Sequence, residues 1–245
     1  KLGMTWQPFA RTTLRGAVFR VLTRTLLNDQ TVEPTQVAGF NQFYQDTPGA
    51  DIWTYGAAVD QRFSTDVYGG IEFVKRDLDI PFRVTALPSA PLEVHHTDWQ
   101  ENLGRGYLYW TPHPWIVGST EYLYEHWDRG DELGGAERIQ NLTTHRLRLG
   151  GSFFHPSGIF ARLRATYADQ EGTFWDSGLT SVSDDGDHFW VTDAALGYRF
   201  PKRYGMLTFE VKNLFDETFK FQDTDATNPS IYPERLALIR LTLSF

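Results

Sequence analysis

The chain has 245 residues, a length that suits one β-domain. It contains no cysteine, which excludes a disulfide framework and a thiolate metal site, and its net charge of −8 argues against a nucleic-acid partner. No apolar run approaches the ~18 residues of a membrane helix, and no signal peptide is visible. The mean hydropathy of −0.40 would suit a soluble protein. In a transmembrane barrel, however, lipid-facing and lumen-facing residues alternate and cancel in any window.

Apolar and polar residues alternate with period 2 along most of the chain, the pattern of strands with one apolar face. Lys1 to Phe9 already reads as a strand, with Leu2, Met4 and Trp6 on one side, so the chain is expected to start inside a fold, as a mature or truncated piece. After a turn at Ala10-Arg11 a second strand is expected over Thr12 to Arg24. A polar segment then runs to about Asp51, within which Gln36 to Tyr44 is expected as an extra strand or hairpin. Ile52 to Ser64 sets Trp53, Tyr55, Ala57, Val59 and Phe63 against Thr54, Gly56, Ala58, Asp60 and Arg62. A tight turn near Thr65-Asp66 leads to Val67–Asp79, with Glu72 and Arg76 on its polar face.

Pro81, Pro88 and Pro91 mark a loop to about Thr97. Asp98–Thr111 alternates less well, and a bulge is expected near Gly104–Gly106. Pro112-His113-Pro114 makes a short turn into Trp115–Trp127, where Tyr122 and Tyr124 oppose Glu121 and Glu125. Asp128–Gln140 is a charged loop. Leu142–Phe153 puts Leu147, Leu149 and Phe153 opposite Arg146 and Arg148. Beyond the turn His155–Gly158, Ile159–Gln170 alternates most cleanly, and Gly172 to Asp187 reads as a loop. Phe189–Phe200 sets Trp190, Leu196, Tyr198 and Phe200 against Asp193 and Arg199. Pro201–Gly205 turns the chain into a strand from Met206, with Leu207, Phe209 and Val211 opposite Thr208, Glu210 and Lys212. In the last segment Ala237, Ile239, Leu241, Leu243 and Phe245 oppose Leu236, Leu238, Arg240, Thr242 and Ser244.

Short connections, near residues 10–11, 65–66, 112–114, 155–158 and 201–205, alternate with long ones near 26–51, 80–97, 128–141, 172–187 and 222–231. Short turns on one rim and long loops on the other are the plan of an all-β, transmembrane antiparallel up-and-down barrel. About eleven or twelve strands are counted. Bacterial single-chain barrels normally have an even number and no open edge, so these residues are expected to be part of a larger barrel. If the segment around 35–45 paired within the membrane, that parity would change.

The polar face carries full charges, among them Asp60, Arg62, Glu72, Arg76, Glu121, Glu125, Arg146, Arg148, Arg162, Arg164, Asp193, Arg199, Glu210, Lys212 and Arg240. The apolar face carries rings toward the strand ends, such as Trp6, Trp53, Trp115, Tyr124, Tyr167, Trp190 and Phe200, which suits the headgroup level of a bilayer. Isolated buried charges are costly, so the charged face is expected to line a lumen wide enough for water or a plug.

The run Val211-Lys212-Asn213-Leu214-Phe215-Asp216, then Pro233-Glu234-Arg235 and a final strand ending on Phe245, resembles the C-terminal end of TonB-dependent receptor barrels. An NLFD turn, a downstream Pro/Arg and a terminal aromatic are typical of that family. Barrels of secretion porins that follow tetratricopeptide repeats are similar at this level. These residues hold no counterpart of the family's plug domain or energy-coupling box. The resemblance implies that 1–245 is the C-terminal portion of a Gram-negative outer-membrane barrel that transports a solute, with the long loops capturing a bulky ligand. It implies outer-membrane lipid and lipopolysaccharide as surroundings and the barrel assembly machinery as a partner that reads Phe245. A periplasmic energy-coupling or secretion partner is the further expectation. The alternatives are a porin secreting a polysaccharide or other polymer, and a structural scaffold housing a partner protein.

Candidate sites are few. Arg146/Arg148 and Arg162/Arg164 fall on adjacent predicted strands and would either form a basic ladder for anionic solutes or pair with Glu121, Glu125 and Asp193, the reading preferred here. Glu93, His95, His96 and Asp98 could hold a transition metal, but a solvated loop is the plainer expectation. Asp184-Asp185-Gly186-Asp187 lacks the spaced ligands and closing Glu of a calcium loop and reads as an acidic surface loop. Asn141-Leu142-Thr143 matches a glycosylation acceptor by chance. His126 and His145 have no GxSxG or similar motif beside them, so no catalytic residue, metal or cofactor is expected and the chain is not read as an enzyme.

Overall fold

The computed structural model describes residues 1–23, 36–41, 49–84, 93–129, 139–175, 181–220, 230–231 and 235–243. Eleven strands form one antiparallel sheet: β1 (Leu2–Phe9), β2 (Thr12–Leu22), β3 (Asp51–Arg62), β4 (Val67–Val84), β5 (Glu93–His113), β6 (Ile116–Asp128), β7 (Ile139–Phe154), β8 (Ile159–Trp175), β9 (Val182–Arg199), β10 (Gly205–Lys212) and β11 (Leu236–Leu243). Each strand pairs with its neighbours in sequence, the up-and-down order expected. The sheet is open, with β1 and β11 at its edges. Because direction alternates along an odd number of strands, both edge strands run from the long-connection rim to the short-turn rim. Phe245 lies outside the described residues.

The short turns are held by local hydrogen bonds. The Ser64 hydroxyl accepts from the backbone N–H groups of Asp66 and Val67, both at 3.1 Å. His155 N–H donates to the Ile159 carbonyl at 2.7 Å, across a turn in which Gly158 has φ +99°. That φ lies in the left-handed region that a side chain disfavours.

Three expectations need correction. Gly104 and Gly106 do not mark a bulge. They stay in register across from Tyr124 and Tyr122, and the register shifts of β5 and β8 fall at Trp110/His113 and Thr173/Phe174. The glycines leave room beside the aromatic side chains rather than adding a residue. The loop expected at 80–97 is largely strand, since β4 and β5 pair as far as Val84↔Glu93. Pro81 is tolerated because it lies beyond the last β3–β4 pair, Asp51↔Asp79, where β4 has a paired neighbour on one side only. The loop expected at 172–187 is likewise mostly strand, paired to Trp175↔Val182. The hairpin alternative within Gln36 to Tyr44 is the one observed: Gln36–Val37 pairs with Phe40–Asn41 as a separate two-stranded sheet, which adds no strand to the wall. Residues 42–44 of that expectation lie outside the described residues.

The registers assign the paired strand residues to one of two faces. One face carries, on β8, Ile159, Ala161, Leu163, Ala165 and Tyr167; on β9, Tyr198, Leu196, Ala194 and Trp190; and on β4, Val67, Ile71 and Phe73. These side chains are bare: Ile71 is 65 %, Leu163 56 % and Ile239 of β11 77 % exposed. The other face carries the charges, and there Arg76 is 6 % and Glu101 7 % exposed. This reverses the arrangement of a water-soluble sheet.

Further along the strands, toward the long connections, the two faces exchange character. On the bare face Tyr167 is followed by Asp169, Glu171 and Thr173, Phe73 by Lys75, Asp77 and Asp79, and Trp190 by His188 and Asp184. On the sheltered face Arg76 is followed by Leu78 and Ile80, and these pack with Ala50, Ile52 and Trp99. Ile139, Leu142 and Phe174 form a second such cluster, and Phe189 stacks on Phe219 with centroids 4.1 Å apart. The long ends of β4–β9 therefore have the polar-out, apolar-in pattern of a protein in water. The apolar stretch of β8, Ile159 to Tyr167, measures about 26 Å at about 3.3 Å per residue, or about 20 Å high at the usual barrel tilt of about 40°. That approaches the ~25 Å band of outer-membrane barrels once the rim aromatics are included.

Candidate functional site: the charged face

At the level of the apolar band the sheltered face is a row of ion pairs running from β2 to β7. Arg15 bonds Asp60 at 2.7 Å and Glu72 at 2.9 Å. The Tyr107 hydroxyl donates to Asp60 and lies 3.2 Å from the Tyr68 hydroxyl. Glu121 receives Arg105 at 3.1 Å and Arg148 at 3.5 Å, and Glu125 lies 3.7 Å from Arg146. Higher up, Glu101 is held between Arg76 and Arg129, the latter at 3.4 Å, and the Arg129 guanidinium lies 4.0 Å from the Trp99 ring centroid. Gln170, fully buried, donates to the Thr144 hydroxyl at 2.9 Å. A charged side chain facing this crowded wall is stabilised only when such partners complete its hydrogen bonding.

All the charged residues singled out by alternation, Arg146, Arg148, Arg162, Arg164, Glu121, Glu125, Asp193, Arg199, Glu210, Lys212 and Arg240, lie on this one face by register. They do not act as one cluster. Arg146 and Arg148 have the carboxylates named above. Arg162 lies against the Phe154 and Phe160 rings, at 5.9 and 5.3 Å. Arg164 sits across from Asp193, but the Asp193 carboxylate accepts the Asn213 backbone N–H at 3.1 Å. Among the described residues no carboxylate lies within ion-pair distance of Arg162 or Arg164. Arg199, Glu210, Lys212 and Arg240 stand opposite Met206, Leu238, Leu236 and Thr208.

Arg15, Tyr107, Arg105 and Glu101 belong to the network but were not singled out as site residues. Their parity on the polar face was the available signal, and Arg129 fell in a segment read as loop. The small hairpin leans on the same wall. Phe40 is buried beside Ala17, Phe19 and Ala58, and Arg15 lies 5.1 Å from its ring centroid. A side chain at Gly56 would meet that ring at 2.6 Å.

The remaining candidates acquire plain structural roles. His96 Nδ1 lies 2.5 Å from Asp79, while His95 lies 3.6 Å from Glu93 and against Phe82. Adjacent strand residues point to opposite faces, so the two imidazoles do not converge. Among the described residues no group of three or more His, Cys, Asp or Glu could hold a metal. Asp184–Asp187 is strand rather than loop. Asp184 accepts the Thr173 hydroxyl at 2.8 Å, Asp187 the Lys220 N–H at 2.8 Å, and Asp185 lies 3.3 Å from the Lys220 ammonium. His145 bonds the Tyr122 hydroxyl at 2.7 Å, and His126 the Thr143 hydroxyl at 2.9 Å. Asn141 and Thr143 are strand residues on β7.

The Asn213–Asp216 turn, at the long-connection end of β10, is held by a set of hydrogen bonds. Asn213 and Asp216 both have left-handed φ, +50° and +63°. The Asn213 side chain donates to the Glu217 carbonyl at 2.7 Å and accepts the Glu217 N–H at 2.9 Å. Leu214 N–H reaches back to the Thr192 carbonyl at 2.7 Å, and Asp216 accepts the Arg235 N–H at 2.6 Å, at the entry to β11. The "NLFD" and Arg positions are thus one hydrogen-bonded unit.

No protein-family model matches the sequence, and no curated protein matches it. Among solved structures the chain is similar to the receptor FpvA of P. aeruginosa, a TonB-dependent receptor, in a complex described as bound to heterologous pyoverdine with iron. The superposition has a TM-score of 0.65 over 99 % of this chain at 9 % identity. The chain spans 32 % of the length of that receptor. At this identity the likeness concerns the fold: an antiparallel wall of the outer-membrane β-barrel kind.

Proposed function

We propose that this chain is a length of the wall of a bacterial outer-membrane barrel that passes a solute, of the TonB-dependent receptor kind, with the long-connection side outward. The observation that carries the reading is the exchange of polarity between the two faces at Tyr167, Trp190 and Phe73. Below that level an apolar bare face and a charged sheltered face suit lipid outside and water or a plug inside; above it the pattern suits water outside. Antiparallel completion of this sheet takes an odd number of further strands, because its two edges run in the same direction. The chemistry proposed is capture and conduction, with no bond made or broken.

Single cysteines along β8 test this directly, since the chain has no native thiol. In the full protein folded into liposomes, thiols at 161, 163 and 165 should react only with membrane-soluble maleimide, and those at 169, 171 and 173 with water-soluble reagent. Equal water reactivity at all six positions would refute a lipid-facing band.

A further inference from the structure

We infer that the charged face carries a binding cradle for an oxyanion, a carboxylate, phosphate or sulfate group of a solute moving along it. The inference deepens the reading above and rests on it, in that the charged face must border water.

On β5 to β8 one cross-strand row reads Tyr109, Ser119, Gly150, Arg164. The two central positions are small, so the row is hollow in the middle. A side chain at Gly150 would come within 2.5 Å of the Ser119 hydroxyl. The hollow has a volume of about 310 Å³ and is walled by Tyr109, Glu121, Arg148 and Arg164. At roughly 30 Å³ per water it holds an oxyanion with part of its hydration shell.

The charges around the hollow do not cancel. Two guanidiniums, Arg148 and Arg164, line it against one carboxylate, Glu121. Glu121 is shared, since Arg105 also bonds it, and Asp193, across from Arg164, accepts the Asn213 N–H and does not come within ion-pair distance of the Arg164 guanidinium. Arg164 lines the hollow with no carboxylate within ion-pair distance among the described residues, and Arg148 meets Glu121 at 3.5 Å. A guanidinium presents paired N–H donors that match the two oxygens of a carboxylate or phosphate. The Tyr109 and Ser119 hydroxyls supply further donors. Glu121 sets a limit: with its carboxylate on one wall, the cradle takes a compact anionic group rather than a polyanion. In a chain of net charge −8 a basic hollow of this kind is locally out of keeping with the whole.

The test is a sulfate titration of the full protein in detergent, at constant ionic strength against chloride, reading the thermal unfolding midpoint. A ligand that binds only the folded state raises the midpoint in a saturable way. Arg164→Gln should weaken the apparent affinity about tenfold or more, the worth of a charge-assisted bidentate contact. Gly150→Ala should do the same by filling the hollow without changing charge. Arg240→Gln, elsewhere on the face, should leave the response intact. An identical midpoint rise in wild type and both cradle variants would mean a general salting effect of sulfate and would overturn the inference, as would the absence of any rise. If the β8 thiols still report a lipid-facing band in that case, the cradle fails while the barrel reading stands.

Discussion

Asn213 offers the sharpest test of how the structure is held. It is 6 % exposed, has φ +50°, and closes the turn between β10 and the last strand with two side-chain hydrogen bonds to Glu217, of 2.7 and 2.9 Å. Asn213→Ala removes both bonds, at about 1 kcal/mol each because Glu217 is exposed and water replaces part of what is lost. It also places alanine in a left-handed conformation, which costs about 1 kcal/mol more. The sum is about 3 kcal/mol. Asn213→Gly loses the bonds but not the conformation, so about 2 kcal/mol is expected. Asn213→Asp keeps the acceptor for the Glu217 N–H and tolerates the backbone, so about 1 kcal/mol is expected. Urea unfolding in detergent micelles, followed by the fluorescence of the eight tryptophans, reads these differences as midpoint shifts at constant slope. The order wild type, Asp, Gly, Ala is the content of the prediction. An alanine variant within about 0.5 kcal/mol of wild type would refute the turn as a stabilising unit, and glycine equal to alanine would refute the conformational part.

Three further outcomes follow from the geometry. Glu101→Gln leaves the Arg76 and Arg129 guanidiniums without their shared carboxylate and should cost about 3 kcal/mol or more, whereas Asp51→Asn, which breaks the exposed Arg20 pair, should cost no more than about 1 kcal/mol; equal costs would show that burial does not govern these pairs. Leu163→Arg puts a charge in the middle of the apolar band and should destabilise the liposome-folded protein by about 2–4 kcal/mol, while Asp169→Arg, beyond the band, should stay within about 1 kcal/mol; two neutral substitutions would remove the case for lipid at Leu163. Gly197→Ala would bring its new carbon to 2.2 Å from the Phe160 ring and should lower the unfolding midpoint, whereas Gly151→Ala, with nothing within 4 Å, should leave it unchanged; the reverse order would contradict the packing of β8 on β9.

The strands, their order and the charged face were legible in the sequence because a side-chain period of 2 is a property of any single strand, and rows such as Ile159, Ala161, Leu163 and Tyr167 display it without help from neighbours. The NLFD turn was legible as a motif, and the structure supplies its hydrogen bonds. The limits were equally physical. Alternation locates a strand only while one face stays apolar. At Asp77, Gln170 and His188 the faces exchange roles, the period loses its phase, and strand that continues to Val84, Trp175 and Val182 reads as loop. Which arginines keep a carboxylate was also beyond the sequence. Arg148 and Arg164 have the same parity and composition around them, but Glu121 falls across from one and the already engaged Asp193 from the other. Face is written along one strand; register, and with it the hollow at Gly150, exists only between strands.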